Sequence, residues 1–585
     1  MATTLKVYAD EDDALLFWAV PAPIAGCRGF AIARRRTDPQ GNTDVEFLPN
    51  RVGFADDPPP QPGDVAHTEP STEWPFQRFS WTDHGANTGD TVSYQVIPMV
   101  RDDTGSLVQL SQQASEWSPG LRLGAASGSR FRAFFNRGFV ISQFMSRYLA
   151  EKHLTLRQFK DNIQDQNEQD IREFLSGDLR LAMLDELRTA ESDDTEIFAA
   201  LFELNDDELV DKLCTLGERA HVVLANGSVP AKGESAADAR QHDDENKDAR
   251  AKLLAANVDV AAHDRFTSPG PLAHNKFLVR TDSSGVPVVA WTGSTNWTVT
   301  GLCTQLNNGL LVEDPAIAAV YLEQWHRLRD AKSSFPRSLV AANGTPTTPA
   351  APSGDTAQAT VWFSRTAGEV DLYALRQVVA SARQGILFLM FMPGNNGVFP
   401  AVMARTGEPD LYVRGVVSDL PHGRGDESAV NVSLIDRTHQ HQVSLNIIQP
   451  VQPDVIQPEG IAHPFANFAA EVTRQQFLAN IGHAIIHSKV LVVDPFSDQP
   501  TVVTGSHNFS ELASKSNDEN FLIIKGDNAL AEAYAVNIMA AYDHYRWRAH
   551  LSRETKPFNG LRDDDSWMAP KLADESKDLH FWGVG

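Results

Sequence analysis

One short pattern of residues appears twice in this chain, and a pattern duplicated at matched spacing confines the fold to two similar halves. His274-Asn275-Lys276 precedes Gly293-Ser294-Thr295-Asn296, and His487-Ser488-Lys489 precedes Gly505-Ser506-His507-Asn508. From histidine to closing asparagine the interval is 22 residues in the first copy and 21 in the second. An aromatic and then a hydroxyl residue follow each time, Trp297-Thr298 and Phe509-Ser510. Twelve residues past each asparagine comes another, Asn308 or Asn520, which opens an apolar run, Gly309-Leu310-Leu311-Val312 or Phe521-Leu522-Ile523-Ile524. A lone His-x-Lys says nothing, whereas two copies in one register form a signature.

These residues resemble the phospholipase D superfamily, whose pattern is H-x-K-x4-D followed by G-S-x-N, present twice. The resemblance covers roughly residues 125 to 548. It implies a pseudo-dimeric phospholipase D fold of two similar α/β halves, at 125–335 and 361–548, with both histidines in one active site at the seam. A monomer is then sufficient for catalysis. The implied chemistry is phosphodiester cleavage through a phosphohistidine, with no metal and no organic cofactor.

Such cleavage sets three tasks: attack on phosphorus, protonation of the departing alkoxide, and neutralisation of charge on the nonbridging oxygens. One neutral imidazole attacks, while the other, protonated, serves as general acid and then activates the incoming water or alcohol. Lys276 and Lys489 stand two residues beyond their histidines on expected strands, and period-two alternation puts each pair on one face. Asn296 and Asn508, with Ser294 and Ser506, are the expected donors to the phosphoryl oxygens.

The two copies are not equivalent. Asp494 completes the second H-x-K-x4-D, but Thr281 stands at the corresponding place of the first, with Asp282 one residue late. Glu519 precedes Asn520, whereas Asn307 precedes Asn308. The resemblance makes a residue at this distance the support of a histidine ring, so Glu519 is expected to hold His487 and Asn307 to hold His274. A carboxylate stabilises an imidazolium and an amide does not. On that pairing His487 rests protonated as the acid/base and His274 neutral as the nucleophile, in line with the family habit of using the N-terminal histidine.

Outside the duplication, residues 1–120 carry short alternating segments such as Ala14-Leu15-Leu16-Phe17-Trp18 and Val92-Ser93-Tyr94-Gln95-Val96-Ile97-Pro98, separated by turns including Asp57-Pro58-Pro59-Pro60-Gln61-Pro62-Gly63. This predicts an antiparallel β-sandwich of immunoglobulin or fibronectin III kind. Helical spacing begins with Phe139, Ile141, Phe144, Met145 and Tyr148, and a charged helical region continues to about residue 190. A helix over Glu208 to Leu216 leads into the strand His221-Val222-Val223-Leu224-Ala225. The same unit returns with Leu372, Leu375, Val378 and Val379 on one helix face, ahead of strands at 386–392 and 411–417. Helix-then-strand units predict mostly parallel sheets. Residues 336–360, rich in Pro, Ala, Thr and Ser, read as a linker, and 549–585 as a charged tail whose closing aromatics pin it to the surface.

Several other motifs favour bland readings. Arg424-Gly425-Asp426 reads as an ordinary loop, and His242-Asp243-Asp244-Glu245 as part of a solvated, mobile insertion from Glu234 to Arg250. His422 and His463, in Pro- and Gly-bearing loops of the second half, are candidates to border the substrate cleft, but the reading as ordinary loop residues is favoured. Cys27, Cys214 and Cys303 lack metal-ligand spacing and read as reduced.

Charge decides among substrates. The formal net charge is −25, and binding to nucleic-acid phosphates requires clustered Lys and Arg. A phospholipid, or a similar small phosphodiester, is therefore favoured over DNA or RNA. The alternatives are a nuclease of the same superfamily and a degenerate, non-catalytic binding protein. Hydrolysis and phosphatidyl transfer share one motif and stay open. No run approaches the roughly 20 apolar residues of a membrane helix, so membrane contact is expected to be peripheral. The N-terminus lacks the basic start and apolar core of a signal peptide, which predicts a cytoplasmic protein or export by a signal-independent route.

Overall fold

In the computed structural model the described residues are 2–54, 57, 68–124, 129–138, 163–164, 169–229, 235–261, 264–394, 396–417, 455–456, 486–553 and 560–585. The expected helix around Phe139 to Tyr148, and Arg424, His422 and His463, lie outside them.

The chain is mixed α/β with a β-rich N-terminal region. There, strands Thr4–Ala9, Ala14–Ala19 and Ser80–Asp83 form one antiparallel sheet, and Cys27–Thr37, Thr43–Phe47, Thr91–Arg101, Leu107–Gln109 and Leu121–Arg122 a second. Trp18, Phe30 and Phe79 are buried together, with the Trp18 and Phe30 rings 5.7 Å apart.

Each half of the duplication is built on its own sheet, and six strands follow the same order in both, with a seventh, Val455–Ile456, added at the edge of the second. The first runs Phe131–Phe135, Asn308–Val312, Pro287–Gly293, Lys276–Thr281, Ile197–Leu201, Ala220–Leu224. The second runs Gln358–Ser364, Glu519–Lys525, Thr501–Gly505, Val490–Val493, Gly385–Met390, Tyr412–Val417, Val455–Ile456. In the first sheet only Ile197–Leu201 and Ala220–Leu224 pair in parallel; in the second, Tyr412–Val417 pairs in parallel with strands on both sides. All other neighbours are antiparallel. The expectation of mostly parallel sheets is corrected. A crossover helix, Asp207–Leu216, joins the one parallel pair of the first sheet, but Thr281 and Pro287 are separated by a turn far too short for a parallel return.

Local signals explain these elements. Asp206 caps Asp207–Leu216 by accepting from the Leu209 amide, and Gly217 ends it at φ 57. Leu372, Leu375, Val378 and Val379 are buried on helix Val370–Ser381, as their spacing predicts. Gly293 and Gly505 are required by close approach: a Cβ on either would lie 2.4 or 2.2 Å from the carbonyl oxygen of Asn308 or Asn520.

Three segments differ from expectation. The region expected as linker contains helix Arg337–Asn343, with Leu339 and Asn343 buried. Within its described part, from 235 on, the segment Glu234 to Arg250 is largely exposed, as expected, but it is anchored to the fold. Helix Ala236–His242 is capped by Ser235, Arg250 pairs with Asp244, and the buried Asn246 bonds the carbonyls of Phe202 and Ala225. The C-terminal aromatics are core residues: Trp582 is buried and stacks on Phe17 at 4.8 Å, while Asp578 binds Arg414 and Tyr412 of the second sheet. The tail thus cements the N-terminal region to the second half, and one apolar core runs through all three parts.

Candidate active site

Both motifs meet where the two sheets abut, and each histidine is held by the opposite half. The His274 amide donates to the Asp518 carbonyl, and the His487 amide to that of Leu306, each at 2.9 Å. A buried ion pair, Arg265 with Asp518 at 2.9 Å, locks one of these crossings. The second asparagines of the repeat stitch the seam. Asn308 donates to Thr504 and Tyr534, and Asn520 accepts from Tyr321 at 3.1 Å and donates to Asn275 at 2.9 Å.

The ring supports are crossed too, which overturns the expected pairing. His274 Nδ1 lies 2.8 Å from Glu519 Oε2, and His487 Nδ1 lies 2.8 Å from Asn307 Oδ1. Abutting the two sheets brings Glu519, which opens strand Glu519–Lys525, and Asn307, just before strand Asn308–Val312, each under the histidine of the other half. Nε2 is the ring nitrogen left for chemistry on each side. The carboxylate therefore belongs to His274 and the amide to His487, and the reason given for their resting protonation is inverted.

Ser294 and Ser506 are also placed differently from expectation. Both are fully buried. Ser294 donates to Asn307 Oδ1 at 2.7 Å and Ser506 to Glu519 Oε2 at 2.8 Å, so their protons are committed to the ring supports instead of a phosphate. Asp494 sits at the far end of strand Val490–Val493 from His487, where its carboxylate accepts the amides of Arg383, Gln384 and Gly385. Thr281, its counterpart, accepts from the Glu196 amide at 3.2 Å. The irregular acidic position of the first motif is thus a matter of strand anchoring and does not touch the cleft.

Lys276 and Lys489 are buried, and each Nζ donates to the carbonyl of its own motif histidine. Burial brings Lys276 down to about 7, against the pull of Glu519 and Glu203, and Lys489 falls well below the usual lysine range through burial and the charge of Lys276. Burial likewise lowers His274 to about 4 although Glu519 opposes it, and lowers His487 well below its ordinary value, helped by Lys489, Lys276 and His274. Burial pushes the Glu519 carboxyl up, but His274 and Lys276 outweigh it and the net shift is downward. Burial thus biases both histidines and both lysines toward their neutral forms, and an entering anion favours their charged forms.

Three further residues escaped the sequence reading. Phe202 and Phe391 follow matching strands, Ile197–Leu201 and Gly385–Met390. Phe202 lies 4.8 Å from the His274 ring and 4.9 Å from Lys276 Nζ; Phe391 lies 4.7 Å from the His487 ring and 4.8 Å from Lys489 Nζ. Their signal was a strand ending in Phe at the same place in each half. The next residue breaks the symmetry: Glu203 in the first half, Met392 in the second. Glu203 Oε2 accepts from Asn296 Nδ2 at 2.7 Å, and burial raises its carboxyl to about 6, opposed by Lys276.

A family model described as "Cardiolipin synthase, PLD-like domain" matches residues 183–329 and 426–539. No curated protein matches the chain. Similar solved structures include the phosphatidylserine synthase of Haemophilus influenzae Rd KW20, 12% identical over 69% of this chain and 92% of that one, with a TM-score of 0.39. The polyphosphate kinase of Porphyromonas gingivalis is 10% identical over 89% and 74%, with a TM-score of 0.35. Nuc of Salmonella typhimurium, a phospholipase D family member, is 19% identical over 32% and 95%, with a TM-score of 0.19.

Proposed function

The chain belongs to the phospholipase D superfamily, and from that membership we propose that it cleaves a phospholipid headgroup bond through a phosphohistidine on His274. We read residues 125–335 and 361–548 as the two halves of a pseudo-dimer, and 1–120 as an immunoglobulin- or fibronectin-like sandwich bracing both.

The observation that carries this reading is the crossed pair of braced histidines over two buried lysines. His274 Nδ1–H donates to Glu519, so the Nε2 lone pair is available to attack phosphorus. As the P–N bond forms, positive charge grows on the ring and the buried carboxylate balances it. The P–O bond to the leaving alcohol breaks, and its oxygen takes a proton from His487 Nε2. Asn307 carries no charge, so His487 gains that proton with the substrate, whose phosphate offsets the lysine charges that otherwise repel it. Lys276, Lys489, Asn296 and Asn508 hold the nonbridging oxygens. His487 then takes a proton from water, or from an alcohol in transfer, and the P–N bond breaks as the new P–O bond forms.

The test is hydrolysis in EDTA of phosphatidylcholine vesicles, plasmid DNA and bis-p-nitrophenyl phosphate by the wild type, His274→Ala and His487→Ala. Headgroup release lost in both variants is the expected outcome. Cleavage of DNA alone assigns the protein to the nuclease branch, and wild-type silence on all three refutes the enzymatic reading.

A further inference from the structure

At the position just after Phe202 and Phe391, the aromatic residues beside the two histidines, the halves differ in polarity, Glu203 against Met392. On the second half, four large apolar side chains are exposed: Tyr373 62%, Leu512 60%, Met392 44% and Val370 38%. They come from three segments tied to one another. Val370 and Tyr373 lie one turn apart on helix Val370–Ser381, and Arg376, a further turn along, donates to the carbonyls of Asn396 and Gly397. Asn396 donates to Glu511 at 2.8 Å, which places the loop after Met392 against helix Glu511–Lys515 and hence Leu512. Lys515 bonds back to Glu369, at the start of the first helix, at 2.8 Å. Met392 directly follows Phe391, whose ring touches His487 and Lys489, so the patch begins at the reacting groups.

At two corresponding described positions the first half is polar. Glu203 stands where Met392 does. Counting from the matching caps Thr298 and Ser510, the half-buried Thr300 stands where Leu512 does. Among the described residues, Glu369, Glu511, Lys515 and Arg376, the ionic side chains that tie these segments together, sum to zero on a chain of net charge −25. An apolar patch with a neutral frame fits an uncharged or zwitterionic partner and has nothing to offer a polyanion. Tyrosine, with an apolar ring and a polar tip, suits a headgroup boundary.

We propose that Val370, Tyr373, Met392 and Leu512 form a docking rim for a zwitterionic phospholipid surface, which delivers the lipid phosphodiester to His274 and His487 from the side of the second half. The proposal rests on the lipid reading of the same site. It makes the protein an interfacial enzyme that works on aggregated lipid faster than on monomers.

The experiment compares the full-length wild type with Tyr373→Glu/Leu512→Glu, and with Leu254→Glu/Val286→Glu as a control at exposed apolar positions of the first half (45% and 49%). Co-sedimentation with phosphatidylcholine vesicles, vesicle hydrolysis, turnover of bis-p-nitrophenyl phosphate and oligomeric state are measured on each. The rim variant is expected to bind and hydrolyse vesicles at least roughly tenfold more weakly, with soluble-substrate turnover within about twofold of wild type, while the control binds normally. Unchanged vesicle binding, equal loss on both substrates, or loss of a dimer in place of vesicle binding each overturns the rim. A wild type that binds vesicles through the rim yet cleaves no phosphodiester leaves the docking surface standing and refutes the catalytic reading instead.

Discussion

The crossed support of His274 makes a strong claim about Glu519. The ring and the carboxylate are both buried, 5% and 0% exposed at the side chain, and 2.8 Å apart. With charge centres about 4 Å apart and an effective dielectric of about 20, ionised Glu519 stabilises an imidazolium by about 4 kcal/mol. Glu519→Gln keeps the size and one acceptor oxygen for His274 Nδ1–H and Ser506, but deletes the charge. It also turns an amine toward Asn517 Nδ2, which now donates to Glu519 Oε1 at 3.2 Å, at a folding cost of about 1 kcal/mol. Since each 1.36 kcal/mol is tenfold in rate, kcat/KM should fall by roughly 100- to 1000-fold, with little change in KM. Rapid-quench trapping of labelled phosphoenzyme beside steady-state kinetics reads both the rate and the residue modified. A fall smaller than about tenfold, or label on His487, refutes the reasoning.

Three further outcomes are expected. Asn307→Asp gives His487 a carboxylate partner, so its proton is held more tightly and the alkaline limb of the kcat profile moves up by about one pH unit; an acid-ward move contradicts the pairing. His274 falls from 6.5 to about 4 in the fold, so between those values the unfolded chain binds more protons and stability is lost as pH falls, by up to about 3 kcal/mol. Urea midpoints at pH 7 and pH 5 should differ less in His274→Asn than in wild type, and equal differences count against a buried neutral ring. Trp582→Ala empties a fully buried site against Phe17 and should cost about 3–5 kcal/mol, read by urea unfolding, whereas a surface-pinned tail predicts a cost below about 1 kcal/mol.

Much of the frame was legible without coordinates, because it is written in short-range spacing. The helix Asp207–Leu216 and the strands Ala220–Leu224, Gly385–Met390 and Tyr412–Val417 fall within a residue or two of their expected places, since periodicity and glycine punctuation act over a single turn or strand. The sheet direction was misjudged because a helix-then-strand unit reports only its own crossover, and the hairpins that follow it dominate both sheets. The aromatic tail was misjudged because Trp582 is buried by Phe17, far along the chain, and no local pattern records that.

The active site divides along the same line. His274, Lys276, His487 and Lys489 announce themselves because the duplication preserves their register, and their chemistry follows from residue type alone. Which group braces which ring does not follow. With two nearly equivalent halves, Glu519 is equally consistent in spacing with His487, 32 residues before it, and with His274, 245 residues before it. Only the way the two sheets abut selects the second. Other placements are made by folding within each half: Ser294 and Ser506 bond the ring support of their own half, Asp494 anchors the far end of its own strand, and Phe202 and Phe391 lie against the histidine of their own half. A sequence repeat encodes what each half contributes, and the packing of one half on the other decides how the contributions are paired.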